Sequence, residues 1–288
     1  MNKNELKKRM DNLSVWKKGD QRAPHKPLLV LFAMGQLQAD KPRFISYEII
    51  RGKLTELLID FGPLRKSNHP EEPFVRLQRD GIWLLDKEVN SKSPNNRQLL
   101  TDKVSGGFTL EVYQLLKDHP ELVQEIANSI LYCHFPETMH QDILDSVGLD
   151  FTNYLRRKRN PKFREKILRA YGYSCAICGF NVRLAHTLIG LEAAHIKWHQ
   201  AGGPGTEENG IALCSLHHKL FDRGVFTLTS ERKVVVSQDA HGTWGFEEWL
   251  IRYNGKEIRA PIQGNYYPSQ VFLDWHMTEV FKGEPYRI

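Results

Sequence analysis

The sequence is poor in cysteine, has no long apolar run and carries almost no net charge outside one short segment. Its longest apolar run, residues 28–34, is too short to span a bilayer. No apolar stretch of signal-peptide length follows the charged start of the sequence, so we expect no export signal. Four cysteines among 288 residues are too few for a secreted disulfide framework. We therefore expect a cytoplasmic protein.

The remaining composition is that of a globular protein, with 41% hydrophobic and 10% aromatic residues and a length sufficient for about two domains. The formal net charge of +6 is concentrated in residues 151–170, which hold eight basic residues and one acid. All other positions together have 32 basic and 33 acidic residues. The eight basic residues are Arg156, Arg157, Lys158, Arg159, Lys162, Arg164, Lys166 and Arg169. Such a concentration indicates a segment that grips a polyanion.

The first part of the chain has the apolar spacing of helices, followed by a turn signal. Residues 1–61 are typical of three helices, the third capped by Ser46. Residues 74–78 and 82–85 flank an Asp80-Gly81 pair that favours a tight turn, which predicts a β-hairpin. Helices followed by a hairpin are similar to the winged-helix layout of DNA-binding domains. A plain α+β packing module gives the same pattern, so this layout alone does not choose between them.

The sequence changes character near residues 148–160. A helical pattern ends there, and short strands, glycine-rich loops and clustered Cys and His follow. We therefore predict an α+β protein with three parts. The N-terminal domain, residues 1–150, is mostly helical with a winged-helix-like hairpin. A basic linker or helix, residues 151–170, leads to a C-terminal domain, residues 171–288.

Two short motifs have the spacing of zinc ligands. Cys175-Ala-Ile-Cys178 is followed 36 residues later by Cys214-Ser-Leu-His217. Zinc takes four thiolate or imidazole ligands in a tetrahedron, and two such pairs can clamp distant segments together. A reduced redox Cys-x-x-Cys is the alternative, which the lack of a surrounding βαβ pattern disfavours. The fourth cysteine, Cys133, has apolar neighbours and is predicted to lie in the core.

Three further motifs lie between and after the zinc-ligand pairs. They are Leu191-Glu-Ala-Ala-His195-Ile, Asn209-Gly-Ile-Ala-Leu-Cys214 and His218-Lys-Leu-Phe-Asp222. In this order, and together with the zinc-ligand pairs, they resemble the HNH (ββα-metal) nucleases over about residues 170–230. The resemblance implies a ββα-metal fold with a structural Zn²⁺ and hydrolysis of DNA phosphodiester bonds.

The resemblance implies a role for each residue of the H-N-H series. His195 on the first strand would be the general base that activates water. Asn209 would fix the loop and orient that base through a hydrogen bond. His218 on the helix would help to hold a divalent ion, Mg²⁺ or Mn²⁺, against the scissile phosphate. A zinc module whose nuclease site has been lost is the alternative.

One position departs from many HNH nucleases, which have an aspartate metal ligand directly before the first histidine. This chain has Ala194 there. Glu192 lies two residues back, so on a strand it would share the face of Ala194 and could supply the carboxylate. Asp222, one helical turn after His218, is a second candidate. A site that uses only histidine and water ligands is the third possibility.

Segments of the N-terminal half resemble a second module. They are Arg22-Ala-Pro-His-Lys-Pro-Leu-Leu-Val-Leu31, Phe61-Gly-Pro63, His69-Pro-Glu-Glu-Pro-Phe-Val-Arg-Leu-Gln78 and Asp80-Gly-Ile-Trp83. These segments are similar to the sulfur-binding domain of McrA-like, phosphorothioate-dependent restriction endonucleases, over about residues 1–150. Enzymes of that family carry an HNH domain behind this reader, so the resemblance spans nearly the full chain.

In that family, the sulfur of a phosphorothioate enters a shallow apolar pocket that contains a proline ring. Sulfur is larger, more polarisable and a poorer hydrogen-bond acceptor than oxygen, so apolar contacts favour it. The resemblance implies that Pro73 is the pocket proline, although Glu72 replaces the tyrosine that often precedes it. The implied DNA-binding residues are His25, Lys26, Pro73, Phe74, Arg76, Arg97, Arg156, Arg157, Lys158 and Arg159. A purely structural role in turns is the alternative for His25 and Pro73.

The combined prediction is a modification-dependent, type IV restriction endonuclease that reads phosphorothioate in double-stranded DNA and cuts nearby. Two alternatives stay open. One is an HNH nuclease that reads another mark, such as a methylated base; the other is a zinc protein that binds DNA without cutting it. Since a single HNH site must cut two strands, a homodimer or sequential nicking is expected.

Overall fold

The structure is a computed structural model that describes residues 1–15, 19–151 and 161–286. The chain divides into two compact units, residues 1–155 and 156–288. Each unit combines helices with small antiparallel sheets, which confirms a mixed α and β class. Within the described ranges, none of the helices has the length and apolar character needed to cross a membrane.

The described residues of the first unit form eight α-helices. They are α1 (Lys3–Asp11), α2 (His25–Gln38), α3 (Tyr47–Phe61), α4 (Glu71–Arg76), α5 (Asn96–Thr101), α6 (Leu110–Asp118), α7 (Pro120–His134) and α8 (His140–Val147). Most side chains of α2 are buried, and α2 contacts α3, α4, α6, α7 and α8. Gly35 permits the contact with α8, because a Cβ at this position would lie 1.9 Å from the carbonyl oxygen of Val147. A glycine inside this helix therefore serves close packing.

The three predicted helices of residues 1–61 are confirmed, and so is the cap of the third. The Ser46 hydroxyl accepts a hydrogen bond from the Ile49 amide at 3.4 Å, which satisfies one of the free donors at the start of α3. Cys133 lies on α7 but is exposed, so its predicted place in the core is wrong. Apolar neighbours in the sequence did not place it inside, because α7 buries only one face.

The predicted hairpin of residues 74–78 and 82–85 is wrong. Residues 71–76 form α4, and Leu77–Asp80 continue as a 3-10 helix that ends at Gly81, where φ is +69°. The strands are β1 (Ile45–Ser46), β2 (Trp83–Leu85) and β3 (Ser105–Phe108), in the antiparallel order β1-β3-β2. Strand β2 therefore pairs with a segment 20 residues away, and the wing of the winged-helix interpretation is not formed by this segment.

The physical reason lies in the burial pattern of α4. Phe74 and Val75 are adjacent and both fully buried, which a half-buried strand with alternating faces cannot provide. Pro70 and Pro73 lie at the start of the helix, where the missing N–H of proline costs no intrahelical hydrogen bond. The local Asp-Gly turn signal was real, but it ends a helix instead of joining two strands.

The second unit consists of three two-stranded antiparallel sheets with four helices among its described residues. In chain order these are α9 (Pro161–Ala170), β4 (Val182–Leu184), β5 (Thr187–Ile189), β6 (Leu191–His195), β7 (Gly210–Cys214), α10 (Ser215–Asp222), β8 (Phe226–Leu228), β9 (Val234–Val236), α11 (Trp244–Trp249) and α12 (Gln270–Glu279). The pairs are β4–β5, β6–β7 and β8–β9. Both α9 and α10 pack on β6–β7, and α10 follows β7 directly. The pair β6–β7 is therefore the centre of this unit.

Helix α12 is tied to this core by a buried histidine. The two ring nitrogens of His276 lie 2.8 Å from the Thr227 hydroxyl and 3.1 Å from the Phe221 carbonyl oxygen. The His276 ring also stacks on Phe221, with ring centroids 3.7 Å apart. Both ring nitrogens are thus satisfied inside the core, so His276 has a packing role.

Candidate functional site

The two zinc-type pairs converge on one point in the second unit. The ligand atoms of Cys175, Cys178, Cys214 and His217 all lie within 4.8 Å of one another. The Sγ atoms of Cys178 and Cys214 are 3.9 Å apart, and Nδ1 of His217 lies 3.7 Å from Sγ of Cys175. A tetrahedral ion with Zn–S bonds of about 2.3 Å needs sulfurs about 3.8 Å apart. The donor set and its spacing therefore fit Zn²⁺.

Local backbone geometry shapes this cluster. The Gly179 amide donates to the Cys175 carbonyl at 2.9 Å, and Gly179 has φ +75°, so the first pair sits on a tight turn that favours glycine. On the other side, Nε2 of His217 donates to the Trp249 carbonyl oxygen at 2.9 Å. That hydrogen bond selects the tautomer whose free lone pair, on Nδ1, faces the cysteines.

A buried histidine between two carboxylates lies on the α10 side of β6–β7. Nδ1 of His218 is 2.6 Å from Oε2 of Glu192, and Nε2 is 3.2 Å from Oδ2 of Asp222. Burial lowers the pKa of His218, but the charges of Asp222 and Glu192 outweigh it and raise the pKa to about 9. Glu192 and Asp222, the two candidates for the carboxylate that Ala194 lacks, thus both contact His218.

The geometry distinguishes the two carboxylates. Asp222 is one turn from His218 on the same helix, and its side chain is only 2% exposed. Glu192 comes from β6, is 28% exposed and also accepts a hydrogen bond from the Ser215 hydroxyl at 3.3 Å. Asp222 is therefore a buried partner of the ring, while Glu192 is the carboxylate that solvent can reach.

His195 is the last residue of β6, where it pairs with Gly210 of β7. It is half-buried, and its ring stacks on Phe163 of α9, with ring centroids 3.7 Å apart. The ring of His199 lies edge-on to the ring of His195, with ring centroids 6.1 Å apart. Strand alternation places His195 and Glu192 on opposite faces of β6. The packing of α9 and α10 thus gives the two histidines of the motif different surroundings.

Asn209 is fully buried and clamps the loop between β6 and β7. Its Oδ1 accepts from the Lys197 amide at 2.8 Å, and its Nδ2 donates to the carbonyl oxygens of Lys197 and Pro204 at 3.0 and 2.8 Å. Gly203 leaves room for this clamp, because a Cβ there would lie 2.8 Å from Nδ2. Both amide hydrogens are used on backbone oxygens, so Nδ2 of Asn209 has none left to orient His195 directly.

The first unit gathers several predicted DNA-binding residues around one buried acid, Glu71. The Glu71 side chain accepts hydrogen bonds from His69 Nδ1 at 2.9 Å and from Asn96 Nδ2 at 2.7 Å. The Asn96 side chain also accepts one from the Tyr47 hydroxyl. We call these four residues the Glu71 network. It joins the start of α4, which carries Pro73, to the start of α5, which carries Arg97.

The surroundings of this network are basic and partly exposed. Burial lowers the pKa of His25 and is the largest influence on it. The charges of His69, Arg65 and Glu71 lie close enough to act on the same pKa. His69 has φ +44°, a conformation that is strained for a residue other than glycine. Arg97 is exposed, whereas Pro73 is buried. The network thus brings together His25, Pro73 and Arg97, which are far apart in the sequence.

Other predicted DNA contacts have different surroundings. Lys26 is 8% exposed and pairs with Asp80 at 2.5 Å, so its ammonium group is used inside the unit. Phe74 is fully buried and packs against Tyr47 and Trp83, which supports α4 but excludes a surface contact. Arg76 pairs with Glu72 one turn earlier at 2.5 Å. Lys26 and Phe74 thus both face the core, and their predicted contact with DNA stays a prediction.

The basic segment is described only in part. The predicted DNA-binding residues Arg156, Arg157, Lys158 and Arg159 lie outside the described residues. On α9, Lys162, Lys166 and Arg169 line an open depression of about 410 Å³ together with Glu165. The opposite face of α9 carries Phe163 and the fully buried Ile167 and packs on β6–β7. The helix therefore presents cations to solvent and apolar groups to the core.

Sequence reasoning missed the Glu71 network and the role of Phe163. A run of two glutamates gives no sign of which is buried, and only the fold brings Asn96 to Glu71. The proline residues on either side of the pair were the one available signal, because they favour the start of a helix. Phe163 looked like an ordinary apolar position of an amphipathic helix.

Comparison with known proteins identifies two modules. The family model of the ScoMcrA-like DNA sulfur-binding domain matches residues 3–152, and that of an HNH endonuclease matches residues 175–229. The solved sulfur-binding domain of ScoMcrA complexed with phosphorothioated DNA is 23% identical, with a TM-score of 0.45. That match covers 50% of this chain and 95% of the other. The sulfur binding domain of SprMcrA complexed with phosphorothioated DNA is 19% identical, with a TM-score of 0.46. That match covers 52% of this chain and 95% of the other.

A longer solved structure also matches. It is the Type IV phosphorothioation-dependent restriction endonuclease ScoMcrA, 25% identical with a TM-score of 0.44, and the match covers 58% of this chain and 39% of that chain. Among curated proteins, none matches. The family models carry the assignment: one sulfur-binding module is followed by one HNH module.

Proposed function

We infer the function of this chain from one premise: it belongs to the ScoMcrA-like DNA sulfur-binding domain family. The HNH endonuclease match behind that domain makes it a DNA endonuclease of the McrA type. The succession of these two matches in one chain is the observation that carries the function. We propose that the first unit binds phosphorothioate-modified double-stranded DNA and that the second hydrolyses a phosphodiester bond nearby, leaving 5′-phosphate and 3′-hydroxyl ends.

For the reader, we propose that the modified phosphate binds at the start of α4, between His25 and Arg97, where the edge of the buried Pro73 ring would be the apolar contact. Apolar surface around a proline ring favours sulfur over oxygen, because the larger sulfur loses less by leaving water. Arg97 is a cation that can hold a flanking phosphate without reading sequence, whereas His25, whose pKa burial lowers, can donate a hydrogen bond from its neutral ring. The Glu71 network supports this arrangement, since it holds α4 and α5 in a fixed relation. Arg65 and His69 are added to the predicted contacts on the same ground.

For the metal sites, we propose one structural zinc ion held by Cys175, Cys178, Cys214 and His217. We also propose a divalent ion, Mg²⁺ or Mn²⁺, held by Glu192 and His218. Carboxylate oxygen and imidazole nitrogen are donors that such ions accept, and Asp222 would fix the ring of His218 from behind. When bound, this ion supplies charge neutralisation at the scissile phosphate and leaving oxygen.

For the cut, we propose that His195 accepts the proton of the attacking water as the water oxygen bonds to phosphorus. The bond between phosphorus and the 3′ oxygen breaks in the same step, and the leaving 3′ oxygen takes a proton from solvent. Asn209 holds the loop that follows β6 and thereby keeps the end of this strand in place. The antiparallel pair β6–β7 and the following α10 would form the ββα-metal unit of the HNH family. The cations of α9, with Arg156–Arg159, would bind the phosphates of the DNA backbone. Cleavage of both strands would require a homodimer or sequential nicking. We propose that this activity takes place in the cytoplasm, where the protein would encounter DNA.

Matched plasmids with and without phosphorothioate test this function. We expect the protein to cut the modified plasmid in Mg²⁺ or Mn²⁺ and to leave the unmodified one intact, because the reader supplies the selectivity. Gel analysis of plasmid forms measures it. Equal cutting of both plasmids contradicts the reader assignment, and cutting only of methylated DNA identifies another mark. Absence of cutting with selective binding of modified DNA identifies a protein that binds without cleaving.

Replacing Glu71 with glutamine tests the network behind the reader. We expect Glu71→Gln to reduce discrimination between modified and unmodified DNA roughly tenfold, because a charged hydrogen-bond acceptor is worth about 1.5–3 kcal/mol and here holds two segments together. Binding constants for the two DNAs, together with thermal unfolding, measure it. The matched control is Glu56→Gln, which removes an exposed surface pair with Lys53 on α3 and is expected to leave discrimination unchanged. Equal effects of both substitutions contradict a positioning role for the network.

A further inference from the structure

One aromatic contact in the second unit has no role in the reaction proposed so far, yet it lies directly against the proposed base. The ring of Phe163 stacks on that of His195, with centroids 3.7 Å apart and planes 11° from parallel. Phe163 is 6% exposed, so this contact is made inside the unit and not on its surface. One face of the imidazole is therefore covered by an aromatic side chain.

The backbone opposite His195 allows α9 to come this close. Gly210 pairs with His195 across β6–β7. A Cβ at Gly210 would lie 2.2 Å from Cδ1 of Ile167 and 3.1 Å from Cζ of Phe163. Ile167, one turn further along α9, is fully buried. A larger residue at position 210 would push α9 outward, so the glycine lets α9 place Phe163 on the imidazole.

We propose that Phe163 is a positioning residue for His195, which holds the imidazole plane so that one ring nitrogen faces the water to be activated. This proposal rests on the proposed role of His195 as general base. A ring held by stacking cannot turn about its Cβ–Cγ bond without losing that contact. Misplacing a proton acceptor by a fraction of an ångström costs rate without changing how tightly the DNA binds.

The form of the stack adds a second effect. Two neutral aromatic rings prefer offset or edge-to-face packing, whereas a cation over the face of an aromatic ring is attracted by it. When the water proton moves to His195, the imidazole becomes a cation over the Phe163 face. The stack is thus stronger after proton transfer than before it, and an interaction of this kind raises kcat instead of lowering KM.

The same helix offers a control that separates positioning from binding. Lys166 is on the exposed side of α9 and lies 3.7 Å from Glu207. Its charge belongs to the proposed phosphate grip and does not touch His195. Removing that charge should raise KM, whereas removing the Phe163 ring should lower kcat.

The test compares Phe163→Leu, Phe163→Tyr and Lys166→Ala on phosphorothioate plasmid. For Phe163→Leu, which stays apolar, we expect kcat to fall roughly 10- to 100-fold with KM within about twofold of wild type. Phe163→Tyr keeps the aromatic face and should retain kcat within about threefold. In the His195→Ala background, Phe163→Leu should have no further effect, because the group that it positions is gone.

A spectroscopic measurement makes the test independent of cleavage. The His195 ring-proton resonance, assigned by its loss in His195→Ala, should lie upfield because of the ring current of Phe163. It should move downfield in Phe163→Leu and stay in place in Lys166→Ala. Equal loss of kcat in the leucine and tyrosine variants, or no movement of this resonance, overturns the proposal. If wild type cuts no DNA while the resonance moves as expected, the base assignment fails and the stack itself stands.

Discussion

Replacing His195 with alanine is expected to reduce cleavage of phosphorothioate DNA about 100- to 10,000-fold, while binding of that DNA is unchanged. The reason is that a positioned general base contributes about 10²- to 10⁴-fold, and alanine leaves no acceptor for the water proton. His195 lies at the solvent-reaching end of β6 and is not part of the zinc-type cluster. Plasmid cleavage, DNA binding and zinc content measure the three properties separately.

The matched control is His186→Ala, which removes an exposed histidine of the same unit. Its turn between β4 and β5 carries no part of the H-N-H series. We expect this variant to cut like wild type. Retained cleavage by His195→Ala would remove His195 from the base role. Loss of zinc in the same variant would show that the substitution disturbed the fold instead of the chemistry.

Removing the proposed zinc ion is expected to unfold the second unit and to abolish cleavage, while the first unit still binds modified DNA. Structural zinc contributes an apparent binding free energy of about 10–16 kcal/mol, which is as large as the whole free energy of unfolding of a typical domain, about 5–15 kcal/mol. The cluster joins the turn at Cys175 and Cys178 to the end of β7 and the start of α10. These elements also carry His218, so the nuclease site depends on the clamp.

Cys214→Ser tests this expectation, with Cys133→Ser as the matched control on an exposed cysteine of the first unit. Zinc content should fall from one ion per chain to none in the first variant and stay at one in the second. Calorimetry should show loss of one unfolding transition and retention of the other. Cobalt substitution of wild type should give the visible absorption of a tetrahedral thiolate site. A metal-free protein that keeps both transitions and cuts DNA contradicts the prediction.

The elements that sequence patterns predicted well are those with strong local signals. The cap of α3 at Ser46 and the spacing within each zinc-ligand pair depend on residues a few positions apart. The hairpin failed because its two segments were judged from their own alternation. The partner of β2 is β3, and no local pattern at residues 74–78 could indicate a pairing with Ser105–Phe108.

The candidate sites divide along the same line. The resemblance to HNH nucleases supplied the predicted H-N-H series. Spacing supplied the predicted zinc ligands and the candidate Glu192, because strand and helix periods determine which side chains share a face. Spacing could not show that Lys26 turns inward to Asp80, since a lysine at the start of a helix is exposed in most proteins. It also could not show that a buried glutamate ties α4 to α5.

By itself, the sequence determined the class of this protein: a chain with a sulfur-binding module, an HNH module and a positive charge concentrated between them. The charge concentration is a matter of composition, and the two modules were inferred from motifs that resemble known families, so neither required knowledge of the fold. Only the tertiary structure decided that His218 lies between two carboxylates and that Phe163 covers His195. It also decided that the Asn209 side-chain amide donates its hydrogen bonds to the loop after β6. The physical reason is that these contacts join residues on separate elements, and their distances depend on how helices and strands pack rather than on their order in the chain.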